Sequence, residues 1–434
     1  MTHRERKEQL RSRLIAAREC TLWLFDQVPE EFLKRRVHSF YSPIGWHFGH
    51  IARTEEFWVI SEALKQPVLN AHLSFLLADL PENSKDNRVT IPDRSEILRY
   101  MAQTRELVLQ ALDESEFDTN NPLLADGYGW EFALQHECQH QETIVEMLTL
   151  IHKALEPHAL SPGTAWPEWT AGIKPEWSSI PGGTFWMGSD DRHGYDNEKS
   201  AHPIRVEPFS VGKFPVTAYE WSEFVKGGGY QNPAVWSTEG WAWRCTEDAH
   251  LPEYWFNVEG RFAIVGATGL RPINPDEPVS SVSWFEAEAF ACWAGGRLLT
   301  EIEREYVASC DPKRECPHRY PWGDDVPDGG RAANGLRTWE PGPVGAHPAG
   351  ASVFGVEDLA GGVWEWTSSP FLPYPGFEAF PYEGYSKAHM KGEHRACRGG
   401  SWATADPILR CSFRNWYVPS YRQGILGLRL AQRL

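Results

Sequence analysis

Two histidines four residues apart, His136 and His140, lie in the segment Gln135-His136-Glu137-Cys138-Gln139-His140-Gln141-Glu142. On a helix that spacing projects both imidazoles from one face, within reach of a single metal ion. Glu142, two residues on, is a carboxylate able to orient a ligand imidazole. A second pair, in Trp46-His47-Phe48-Gly49-His50, sits in an apolar, aromatic stretch. A buried imidazole there needs a partner, and a metal is one candidate. At i,i+3, His47 and His50 do not both face one point comfortably, so one of them fits a satisfied core histidine. Two imidazoles from one helix and one from a neighbour make a three-nitrogen set. Zinc with a bound water satisfies it, as does ferrous iron with open positions for substrate and O2. Ligand type alone does not choose between them, and i,i+4 pairs also arise by chance in a chain with 16 His.

The elements that must position these residues are helices. Residues 1–155 carry four segments with 3.6-residue periodicity, at 4–27, 43–65, 94–114 and 129–153. Ser42-Pro43 reads as cap and first-turn proline of the second, and Pro92-Asp93 precedes the third. An up-down bundle with one long connection, about 66–93, is the economical packing. That connection is long enough to cross the open end of the bundle and cover a site. Composition changes at 156–180, rich in Pro, Ala, Ser and Trp, which reads as a surface linker. Residues 181–434 lose most helical periodicity. Gly, Pro and aromatic residues punctuate short segments, with two helices expected at 217–226 and 284–294, so this half is expected to be α+β and loop-rich.

Composition excludes some functions. With 434 residues, the chain is long enough for two ordinary cores. Its 42 basic and 59 acidic residues give a net charge of −17. That balance argues against nucleic acid and anionic membrane partners, which need clustered Lys and Arg. Eight cysteines contain no CxxC pair, so a cysteine-based zinc site is not expected. The start, MTHRERKEQLRSRLIAARE, lacks the apolar stretch of a secretory signal, and no apolar run reaches spanning length. A cytoplasmic, reduced protein is the expectation. Most of the 21 Trp fall after residue 160, which suits a loop-rich domain packed on large planar rings.

The motifs together resemble a known family. SPIGWHFGHIARTEEFW followed by HECQHQET resembles the DinB-type iron-binding bundle of the ergothioneine sulfoxide synthases. The second half resembles the C-type-lectin-like fold shared with formylglycine-generating enzymes. Its marks are IPGGTFWMGS (180–189), FPVTAYEW (214–221), PVSSVSWFEAEAFACW (278–293), RLLTEIEREY (297–306), YPWG (320–323), GVWEWTSSP (362–370), RGGSWAT (398–404) and FRNW (413–416). Their order and the pairing of the two domains are specific, and the resemblance covers nearly the whole chain.

The resemblance implies an iron(II) cofactor held by His50, His136 and His140, with His47 the spare. It implies O2-dependent formation of a carbon–sulfur, or in relatives a carbon–selenium, bond on a trimethylated histidine, with a cysteine-type thiol or selenol as donor. Gln139, Asn415 and Trp416 match positions that hold the trimethylated substrate. Tyr382 and Tyr385, in PYEGY, match two active-site tyrosines, the first linked to choosing coupling over simple thiol dioxygenation. A soft thiolate on iron(II) favours O2 binding, a phenol can supply a proton or an electron, and a permanent cation suits an aromatic surface at roughly 0.5–2 kcal/mol. The reactive cysteine pair of formylglycine-generating relatives is not matched: Cys397 and Cys411 flank RGGSW at a different spacing and read as small core residues. Where members taking γ-glutamylcysteine carry an acid after FRNW, this chain has Tyr417. Lys85 and Arg88, in the 66–93 connection, are candidates to bind a donor carboxylate, or else ordinary solvated loop charges. Two other classes fit parts of the chain: a zinc-dependent thiol transferase of the DinB type, and a lectin-like module that only displays loops to a ligand.

Overall fold

The computed structural model describes residues 2–155, 160, 164–169 and 172–434, and the chain divides into two compact units, Met1–Glu156 and Pro157–Leu434. The first is a helical bundle. Helix α1 (His3–Asp26) opens on a capping box, in which the Thr2 hydroxyl accepts from the Glu5 amide and the Glu5 carboxylate from the Thr2 amide. Helix α2 (Ile44–Glu55) continues as a π-helix over Glu56–Ala63. Sequence periodicity reads 43–65 as one helix and does not detect the wider turns. At their start the Glu56 carboxylate faces inward and accepts from Tyr100 Oη and Leu69 N, both at 2.6 Å. Short α3 (Ala71–Leu76) lies in the long connection; α4 (Arg94–Glu114) and α5 (Tyr128–Ala154) complete the bundle. Asp93 caps α4 by accepting from Glu96 N. Ser42 does not cap α2: Pro43 holds that position without a side-chain bond, because the Ser42 hydroxyl accepts from Arg88 instead.

Helix α1 packs on α5, and α2 packs on both α4 and α5. The apolar stripes that meet there include Leu10, Leu14, Leu24, Phe25, Phe48, Trp130, Leu134 and Met147, all fully or almost fully buried. Phe25 and Phe48 stack with ring centroids 4.0 Å apart. Each such side chain contributes about 1.5–3 kcal/mol by leaving water. Four of the buried charges form one cluster. Arg18 donates to Glu55 (2.7 Å) and Glu137 (2.9 Å), and Arg105 donates to Glu55 (2.9 Å) and to Glu137. Thr21 Oγ1 adds a 2.7 Å bond to Glu137. This alternating cluster ties together all four long helices.

The second unit is α+β. Its strands are β1 (Trp177–Ile180), β2 (Gly183–Met187), β3 (His202–Val206), β4 (Phe209–Gly212), β5 (Trp255–Val258), β6 (Arg261–Gly266), β7 (Gly269–Pro272), β8 (Arg297–Leu298), β9 (Trp364–Pro370), β10 (Arg395–Arg398), β11 (Asn415–Tyr417), β12 (Leu426–Gly427) and β13 (Leu430–Arg433). They form sheets ordered β1-β4-β13-β8, β11-β10-β9-β12, β2-β3 and β5-β6-β7. Part of the expected linker, Trp177–Ile180, is therefore strand β1, paired antiparallel with β4; residues 156–159, 161–163, 170 and 171 of that stretch lie outside the described residues. The two expected helices are α6 (Ala218–Lys226) and α8 (Trp284–Trp293). Periodicity missed α7 (Thr238–Thr246) and α9 (Glu301–Ser309). Among the described residues no helix is long and apolar enough to cross a membrane.

Candidate functional site

Helix α5 presents His136 and His140 one turn apart, and α2 presents His50 against them. One ligand nitrogen from each of the three lies within 4.8 Å of the others. Their ring centroids are 4.4 Å (His136–His140), 5.0 Å (His50–His140) and 5.1 Å (His50–His136) apart. Burial keeps all of them neutral at ordinary pH. It lowers His50 and His136 well below the usual range, with the other histidines adding to the effect, and it lowers His140 to about 4 against a smaller opposing pull from Asp79 and Glu137. Neutral imidazoles are the form a metal binds. His136 Nδ1 is buried and makes no hydrogen bond within the protein. A buried polar nitrogen of that kind is costly unless something satisfies it. The donor set, its spacing and this orphaned nitrogen fit a metal ion.

His47, one turn before His50, does not join the set: its Nδ1 lies 3.0 Å from His140 Nδ1, and its Nε2 is buried without a partner. His50 Nδ1 donates to the carbonyl of Leu77 at 2.6 Å, and its ring stacks on Trp46 at 4.2 Å. Two of the charged-cluster carboxylates flank the set in sequence. Glu137 follows His136, and Glu55 follows Thr54, whose hydroxyl lies 3.4 Å from His50 Nε2. Gln139 precedes His140 on α5 and is partly buried, its carbonyl accepting from Thr143. Arg88 is not a solvated loop charge. Its guanidinium is buried, donates to Ser42, Asn83 O and Asp79, and lies 4.3 Å over Trp46. Its nitrogens are thus engaged by Asn83 and Asp79 of the connection and by Ser42 ahead of α2. Lys85 is exposed, donates to the Phe40 carbonyl and lies 5.0 Å over that ring.

In the second unit, FRNW is anchored by ionic contacts. The Arg414 guanidinium is buried and donates twice to Glu301 on α9, at 2.7 and 2.9 Å, and Arg398 donates to the same carboxylate at 3.1 Å. Burial opposes ionisation of Glu301, but the two guanidiniums prevail and hold it below the usual carboxylate range. Asn415 to Tyr417 then run as β11 against β10. Trp416 stacks on Phe371 (4.3 Å) and meets Tyr385 edge-on (5.5 Å) and His389 (5.6 Å). Tyr385 also stacks on Tyr195 at 4.5 Å. The structure thus brings Tyr385 and Trp416 into one aromatic cluster. Asn415 Nδ2 donates to Tyr417 Oη at 3.3 Å, and the Tyr417 ring stacks on Tyr421. Tyr382 lies in the same loop as Tyr385 and is 40% exposed. Cys397 is fully buried, Cys411 packs against the core of this unit, and both are free thiols.

Sequence reasoning missed Trp46, Leu77, Asn83, Phe371, Tyr195 and His389. Trp46 adjoins the histidine pair and carried a signal. Leu77 acts through its backbone carbonyl, which no side-chain pattern reveals.

Residues 13–144 match the DinB superfamily, and residues 167–434 match the Sulfatase-modifying factor enzyme 1-like domain. The chain is 40% identical to the Hercynine oxygenase of Mycolicibacterium smegmatis, over 98% of this chain and 99% of that one. The chain belongs to the hercynine oxygenase family, the ergothioneine sulfoxide synthases. Its identity to the Hercynine oxygenase of Mycobacterium tuberculosis is 38%, over 98% of both chains. The Formylglycine-generating enzyme of Streptomyces coelicolor is 31% identical over 58% of this chain and 87% of its own. The two family matches fall one in each unit, and the likeness to the hercynine oxygenases runs through both.

Proposed function

We propose that this O2-dependent oxidoreductase acts on trimethylhistidine (hercynine) and joins sulfur, or selenium, from a cysteine-type thiol or selenol to its imidazole carbon, with iron(II) held by His50, His136 and His140. The observation that carries the reading is the clustered set of three imidazoles, buried or partly buried, in a chain similar over its full length to hercynine oxygenases. Such a set leaves open positions on iron, where the metal supplies binding and activation of O2 beside a soft thiolate. The protein's own part is to bind, orient and protonate. Gln139, Asn415 and Trp416 are proposed to hold the trimethylated substrate. An aromatic face such as Trp416 attracts a quaternary ammonium by about 0.5–2 kcal/mol, the more so when water is excluded. The Tyr382 hydroxyl is proposed to deliver the proton that favours coupling over thiol oxidation, with Tyr385 in support. Tyr417 offers no carboxylate to pair with the ammonium of a γ-glutamyl group, so free cysteine or a neutral thiol or selenol is the preferred donor. Lys85 and Arg88, the cations of the connection, are the candidates proposed to meet a donor carboxylate.

Anaerobic incubation of the iron-loaded chain with trimethylhistidine and each candidate donor, followed by O2 and mass spectrometry, tests the proposal. A coupled product formed only with iron, O2 and both substrates is expected. Donor oxidation with no mass containing both halves refutes it.

A further inference from the structure

His50 comes from α2, and what orients its ring comes from the 66–93 connection. Its Nδ1 bonds to the Leu77 carbonyl at 2.6 Å, an acceptor, so the nitrogen carrying hydrogen there must be Nδ1. That leaves the Nε2 lone pair as the nitrogen able to ligate. Leu77 follows the last turn of α3, where the final carbonyls of a helix lack partners. Asn83 supplies them. Its buried amide nitrogen lies 3.3 Å from Phe75 O, 2.7 Å from Leu76 O and 3.0 Å from Ala78 O. The carbonyls on both sides of Leu77 are therefore held by one side chain, while that of Leu77 itself is left to His50. Trp46 Nε1 donates to Leu76 O at 3.1 Å and presents its ring to His50. Arg88 closes the arrangement by donating to Asn83 O and covering the outer face of Trp46.

We infer that Asn83 is a positioning residue for the metal centre: by pinning the peptides around Leu77 it aims that carbonyl at His50 and fixes the Nδ1–H tautomer. The inference rests on the three-histidine metal reading and adds to it the device that prepares one of the ligands. It also accounts for a polar side chain only 2% exposed in a loop, where an unpaired amide would be costly. His136 has no such orienting bond on its Nδ1 within the protein, so loss of Asn83 acts on one ligand and not on all three.

Two measurements test this on the full chain. Long-range 1H–15N spectra of 15N-histidine-labelled apo protein report each ring's tautomer, and chelator competition reports affinity for ferrous iron without substrate. Wild type is expected to show His50 protonated on Nδ1. Asn83→Ala is expected to mix the His50 tautomers, leave the His136 signals in place and weaken iron binding by up to the 10–100-fold that losing the orienting partner itself would cost. Wild-type His50 protonated on Nε2 overturns the inference whether or not the variant folds. So does an Asn83→Ala protein with unchanged His50 signals and unchanged affinity. Wild type that takes up no iron would defeat the metal reading instead, and the tautomer spectra would still judge Asn83.

Discussion

Glu137→Gln should destabilise the bundle by about 3 kcal/mol at pH 7, with the loss shrinking as pH falls. Burial by itself would raise the Glu137 pKa, but Arg18 and Arg105 outweigh it and hold the group at about 2, against an ordinary 4.5. A lowered folded-state pKa means that the ionised form carries stability that the protonated form lacks. The magnitude comes from the geometry: removing one partner of a buried ion pair costs about 3–5 kcal/mol. Because the folded pKa is the lower one, the unfolded chain takes up the proton first. The contribution is complete above about pH 5 and disappears as pH falls through 2. Gln keeps the shape and loses the charge, so wild type and variant should differ fully at pH 7 and by less than half as much at pH 3. With two domains a single unfolding midpoint is ill-defined, so amide hydrogen exchange of peptides from α1, α4 and α5 is the suitable assay. In that assay about 3 kcal/mol means exchange roughly a hundredfold faster in the variant. Equal protection at pH 7, or a difference that does not change with pH, would refute the claim that this cluster stabilises the bundle.

His47→Ala should lower iron affinity far less than His140→Ala, because His47 contacts the set through His140 and offers no ligand nitrogen to it; chelator competition on both variants checks this. Tyr382→Phe keeps the ring and removes the hydroxyl, so it should slow coupling and raise the share of thiol oxidised without coupling; an unchanged product ratio and rate by mass spectrometry would assign Tyr382 to packing alone. γ-Glutamylcysteine should be a poorer donor than free cysteine by kcat/KM, since a desolvated ammonium beside Tyr417 lacks a counter-charge, a deficit of several kcal/mol; a clear preference for it would refute the Tyr417 argument.

The bundle was readable from sequence because its helices are long and strongly periodic. The i,i+4 histidines were readable because one helix face puts them together. Which of His47 and His50 joins them was not decided by spacing; it came from family resemblance, and the ring distances support the same choice. The Arg18–Glu55–Arg105–Glu137 cluster had no local signal, since Arg18 and Glu137 stand 119 residues apart. Helix α9 did carry one, the capping box Thr300-x-x-Glu303. The Ser42 cap was not realised, and Arg88 is buried rather than solvated, because the two side chains meet across 46 residues. Strand β1, reached through a Pro- and Trp-rich stretch, forms because β4 is there to pair with it, which composition cannot reveal.

The most direct test of the three-histidine centre is metal stoichiometry. The chain should be reconstituted anaerobically with ferrous iron, freed of excess and measured by elemental analysis beside His140→Ala. About one iron per wild-type chain is expected from a single centre, and a large loss in the variant with helical content retained. Full occupancy in His140→Ala would contradict the account.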